Sequence, residues 1–146
     1  MQLPEGNLNL YLTVIGEPAC NELRIVVAEG LLGELTKIDV AGVDVGEGRP
    51  IEIMAESRSY EISWDNYVAY VVRNESFWKA EKREPAFTKH LERRFDTAFM
   101  RYIRDVTFAD DEYPGPLEHW YLATLNHCVD VVSVGPPHVL PITTKV

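Results

Sequence analysis

The chain reads as an α+β domain, with a curled antiparallel sheet of about six strands packed on one long helix near residues 85–104. Val, Ile, Thr and the aromatic residues make up 47 of the 146 residues, a composition that favours strands. Helical spacing occurs in one late stretch, at Phe87, Leu91, Phe95, Ala98, Phe99, Tyr102, Ile103 and Val106. No helical segment separates the early strand candidates, so the crossovers of a parallel sheet are missing.

The first strand is expected from Leu8 to Ile15, where Leu8, Leu10 and Leu12 alternate with Asn9 and Tyr11. Gly16-Glu17-Pro18 ends it, because proline fixes φ and has no amide donor. Glu22 to Ala28 puts Leu23, Ile25 and Val27 on one face. Leu35 to Val45 reads as one or two short strands broken near Gly42, and Gly46 to Pro50 as a turn. Ile51 and Ile53 open a further strand. Tyr60 to Glu75 is the longest strand candidate, with Ile62 and Trp64 on one face and Val68, Tyr70 and Val72 sharing another. Asp65-Asn66 in its middle suits either a bulge or a tight hairpin turn.

The helix is expected to start at Pro85, whose missing donor costs nothing in a first turn. Phe95 and Phe99 fall at the centre of its apolar sector and are expected in the core. Two prolines and a glycine make Asp110 to Pro116 a loop. Glu118 to Val134 reads as one long strand, bent near Asn126. From about residue 135 a Pro-rich tail should run extended. The whole is expected to be one domain.

Charge and motifs narrow the function. A formal charge of −9 argues against nucleic-acid binding, which needs a positive surface. No apolar run reaches the roughly 18 residues of a membrane span. The first ten residues lack a basic n-region and an apolar h-region, so no secretory leader is expected. Cys20 and Cys128 are too few for a disulfide framework and read as reduced thiols in a cytoplasmic protein.

His127 precedes Cys128, but neighbours on a strand point to opposite faces, so the thiol reads as structural. His119 and His127 would share a face of one continuous strand, about 26 Å apart at ~3.3 Å per residue, too far for one metal ion. Neither a nucleophile elbow nor a P-loop occurs, so no metal or cofactor is expected.

Two features remain. Asp130 lies among valines, and a buried carboxylate needs a partner; Arg73, the lone charge of another valine-rich run, is the natural one. With Tyr70, Asn74, Glu75 and Asn126 these two residues could line a polar pocket. The second feature is a basic segment. Residues 79–104 carry +4, and the rest of the chain carries −13. On a helical wheel Lys89, Arg93, Arg94, Arg101 and Arg104 form an outward ridge. They could lie against the chain's own acidic loops, such as Asp110-Asp111-Glu112, or dock an acidic partner or a second copy. The sequence therefore predicts a non-catalytic binding or interaction module, a homo-oligomer or a binder of an acidic protein. A small enzyme with a pocket around Arg73, Glu75 and Asp130 is the alternative.

Overall fold

The computed structural model describes residues 1–6, 8–80 and 89–143. The strands of its first half are β1 (Leu10–Gly16), β2 (Leu23–Glu29), β3 (Leu31–Leu32), β4 (Thr36–Val40), β5 (Val43–Gly48), β6 (Ile51–Glu52), β7 (Ser59–Trp64) and β8 (Tyr67–Asn74). A 3-10 turn at Glu75–Phe77 follows. The second half holds β9 (Leu91–Arg94), helix α1 (Ala98–Val106), β10 (Leu117–Ala123), β11 (His127–Val134) and β12 (His138–Ile142). No helix among the described residues is long and apolar enough to cross a membrane.

The strands do not form one curled sheet of six. Two four-stranded antiparallel sheets, ordered β1-β2-β7-β12 and β8-β11-β10-β9, face each other, and two small ribbons stand beside them. Alternation along β2 and β7 turns Leu23, Ile25, Val27, Tyr60, Ile62 and Trp64 inward, as the period-2 pattern predicts. They meet Leu122, Val129 and Val131 from the second sheet in one continuous core. The outer face of the second sheet carries α1, where Ile103 packs on Leu117 and Val132.

Asp65-Asn66 is neither bulge nor hairpin. It is the corner where the chain leaves the first sheet at β7 and enters the second at β8. The bulge lies just beyond. Ser133 pairs with Tyr67 and Val132 with Ala69, which leaves Val68 as the extra residue. Val68 consequently joins the helix side with Ala69, and it does not share a face with Tyr70, which packs on the core.

The predicted helix is largely replaced. Residues 85–88 lie outside the described residues, and Leu91–Arg94 is an edge strand on β10. Asp96 has φ = 51° and breaks any helix there. Thr97 then accepts the amide of Met100 at 3.1 Å and starts α1. The four-residue spacing of Leu91, Phe95 and Phe99 thus joins three different elements. Phe95 is 73% exposed, with the Arg93 guanidinium 4.7 Å from its ring centre, so the expectation of a core position fails.

The single strand expected over Glu118 to Val134 is a hairpin, β10 and β11, turned at residues 124–126. This fold-back places His119 and His127 on opposite faces of the sheet, not on one. The tail from residue 135 is not a free extended segment, because β12 pairs with β7. Pro141 is tolerated there because β12 is an edge.

Ile62→Ala should cost about 2–5 kcal/mol, as a fully buried isoleucine leaves a cavity. Phe95→Ala should cost about 1 kcal/mol or less, since the ring loses only a surface cation–π contact. Urea titration of both variants checks the contrast, and equal losses would contradict this placement of Phe95.

Candidate functional site

The outer face of the second sheet carries a buried polar chain. Strand register sets Arg73 opposite Cys128 and His119 opposite Val132. These positions share a face with Asp130, which is 3% exposed. Arg73 donates from Nη2 to Asp130 Oδ2 at 2.7 Å. His119 Nε2 lies 2.8 Å from the other oxygen of the carboxylate, and its Nδ1 lies 2.7 Å from the hydroxyl of Thr97. The donors and acceptors match when His119 carries its proton on Nε2. Asp130 then accepts from both neighbours, Nδ1 accepts from Thr97, and the Thr97 oxygen accepts the Met100 amide.

A hydroxyl, an imidazole and a carboxylate in a row invite comparison with nucleophilic catalysis. Here the hydroxyl is 2% exposed and is committed to capping α1. The Phe99 ring lies 5.3 Å from that of His119, tilted by 54°, and covers that side. The arrangement pins the helix to the sheet and offers a substrate no entry.

Beside it, Arg94 lies 5.1 Å over the ring of Tyr121 and 3.4 Å from Glu92. Burial, then a hydrogen bond to Cys128, pushes the Tyr121 phenol up. Burial likewise raises the Cys128 thiol above its ordinary 9.0, the opposite of an activated nucleophile. Cys20 is exposed, and both cysteines are free.

The six residues of the expected pocket do not converge. Arg73 and Asp130 meet, but on the outer face. Tyr70 faces inward and donates to Glu17 at 3.3 Å. Asn74 caps the 3-10 turn, and the Glu75 amide bonds the Asn126 carbonyl. The Asn126 side chain works as a strand fragment. It accepts the Leu12 amide at 2.9 Å and donates to the Leu12 carbonyl at 3.0 Å. It thereby clasps the β10–β11 turn to β1, joining the two sheets.

The basic ridge is not a ridge either. Arg93 and Arg94 sit on consecutive positions of an edge strand, and Arg94 is buried. Lys89 pairs with Glu5, Arg93 with Glu118, Arg101 with Asp96 and Arg104 with Asp111. A cavity of about 960 Å³ opens between the N-terminal segment, β9 and Pro136–Pro137. None of the six pocket residues lines it, and its Lys89 and Arg93 are the paired cations just named. Among the described residues, no three metal-ligating side chains gather.

A run of exposed apolar side chains lies elsewhere, on an arm. β2 and β7 pair directly, and the chain between them runs outward as β3–β6 and then β4–β5. Gly30 makes the exit possible. A Cβ there would fall 2.5 Å from Ile51 and 2.7 Å from Tyr11, whose hydroxyl holds the Ile51 carbonyl. Among the described strands β4 and β5 pair only with each other, and residues 34–47 are all exposed. Their two-residue turn, Ala41-Gly42, has φ values of 52° and 82°, the pair that suits a twisted hairpin. Register gathers Ile38, Val40 and Val43 on one face, 41%, 58% and 61% exposed. Lys37, Asp39 and Asp44 take the other face. Val45, 59% exposed, is the extra residue of a bulge on β5. The sequence places strands over Leu35 to Val45, but β5 runs on to Gly48 through the expected turn, and no local pattern reports the isolation of the ribbon.

No protein-family model, curated protein or solved structure matches the chain.

Asp130→Ala should cost about 3 kcal/mol or more, because it strands a buried imidazole and a guanidinium. Arg73→Ala should cost about 1 kcal/mol, since the Arg73 side chain is 42% exposed and His119 still holds the carboxylate. Equal losses in urea titration would contradict this asymmetry. The raised thiol of Cys128 sets a pH signature. Folding favours the protonated form, so its stabilisation is complete at neutral pH and fades as pH rises above about 9. Cys128→Ala should flatten that alkaline decline in unfolding free energy; an unaltered slope would count against it.

Proposed function

We propose that the chain is a non-catalytic interaction module that associates with copies of itself through the β4–β5 arm. One observation carries this reading: the arm is an amphipathic ribbon whose apolar face no described residue covers. An isolated two-stranded hairpin is marginal in water, and three or more strands or a packing partner are normally needed. Exposed apolar surface collected on one element marks an interaction site. The inaccessibility of the Thr97–His119–Asp130 chain and the elevated Cys128 thiol weigh against the enzymatic alternative. Two free cysteines fit a cytoplasmic setting.

Gly33 donates to the Pro50 carbonyl at 2.7 Å, so the base of the arm is already closed. Excising residues 34–49 and joining Gly33 to Pro50 through glycine should leave the urea midpoint of the body nearly unchanged. In sedimentation velocity at high micromolar concentration, the full chain should run as an oligomer and the excised chain as a monomer. A monomeric full chain, or an excised chain of unchanged oligomeric size, would end this reading.

A further inference from the structure

We infer that β4 pairs antiparallel with β4 of a second copy, about a two-fold axis through Ile38, making one four-stranded sheet from two arms. This rests on the self-association proposed above and specifies its surface and register. The first support is the open edge. β4 hydrogen-bonds β5 on one side and no other strand of the described residues on the other. Unpaired edges invite pairing, and proteins usually blunt them with bulges, prolines, short length or charged side chains; of these β4 has only the charges of Lys37 and Asp39, which are opposite in sign.

The other described edges are blunted in that way. β1 is irregular between Leu12 and Val14, β8 has its bulge at Val68, β12 contains Pro141, and β9 has four residues. β5 has its bulge at Val45 and glycines at positions 46 and 48. β4, Thr-Lys-Ile-Asp-Val, has no bulge, proline or glycine.

The second support is charge complementarity. With Ile38 on the axis, Lys37 stands opposite Asp39 of the second copy, and Asp39 opposite its Lys37. Both pairs lie on the charged face. Ile38 meets Ile38, and Thr36 meets Val40, on the apolar face. The strand is thus its own complement in one register. A slip by one residue would set apolar side chains against the charged face. Directly opposed ions on paired strands attract, and like charges there repel. The pairing also doubles the ribbon to the strand number that sustains a sheet.

The test is a charge exchange in the full chain, read by sedimentation. Lys37→Asp alone, or Asp39→Lys alone, sets like charges opposite each other at two symmetric places. Each variant should associate about tenfold more weakly than wild type. An equimolar mixture of the two restores opposite charges at both places and should recover wild-type association as a one-to-one complex. The double variant K37D/D39K should associate with itself like wild type. Both positions are exposed, so the urea midpoint of the body should not move in any of them. Single variants that associate as tightly as wild type, or a mixture no tighter than its components, would overturn this register. If excision of the arm still dissociates the oligomer in that case, the arm remains the contact and only the pairing of β4 falls. Packing of two arms apolar face to apolar face would give that second pattern.

Discussion

A carboxylate that is 3% exposed in a valine-rich sheet must be satisfied on both oxygens or it destabilises everything around it. Asp130 is satisfied by Arg73 from β8 and His119 from β10, the two strands that flank its own. His119 passes the constraint to Thr97, and Thr97 passes it to the first turn of α1. One buried charge thereby fixes the helix start and the order of three strands. The apolar contacts of Ile103 with Leu117 and Val132 add burial but no direction. Polar chains of this kind specify one arrangement because each member is costly to leave unpaired.

That constraint also limits what the outer face can do. Its hydroxyl, imidazole and carboxylate are spent on holding the helix, and Phe99 and α1 cover them. The body is closed elsewhere too. Asn126 links the sheets through the backbone of Leu12, and the cations around β9 and α1 are neutralised by nearby acids. Exposed apolar side chains and a strand edge that no described strand pairs occur together on the arm, which departs from the sheet through the close passage at Gly30. The proposed association thus draws on a part of the chain separate from the core that holds the body. Substitutions at residues 34–47 alter only exposed surface and leave the core of the body in place.

The sequence made the body legible where one face of a strand meets the core. Leu23, Ile25 and Val27, and Ile62 and Trp64, alternate because only one side is buried. The pairing of Arg73 with Asp130 was legible for a related reason, as each is a lone charge in an apolar run. The helix was not legible, because Leu91, Phe95 and Phe99 mimic its period while belonging to a strand, a loop and a helix. Thr97 held the true signal, a hydroxyl directly before an apolar run. Asn126 looked like a pocket residue because an amide in an apolar strand suggests binding. In the fold it binds backbone. The corner at Asp65-Asn66 was illegible in principle. Whether two strands share a sheet depends on partners far along the chain, and local residues do not encode that.

Charge distribution favours a short strand over the basic segment as the seat of the proposed association. A basic segment within an acidic chain suggests long-range attraction, but a cation beside its own acid contributes little field at a distance. Lys89, Arg93, Arg101 and Arg104 are each matched in this way. The surplus that remains is the −9 of the chain, which repels another copy. Attraction between copies must then act at contact range, through backbone hydrogen bonds, aliphatic packing and opposed ions. Those are the forces a free strand edge supplies. β4 offers a regular edge, an apolar face and a lysine two residues from an aspartate, held away from the acidic body by a ribbon. In the proposed pairing of arms, distance from the body lowers the repulsion between copies.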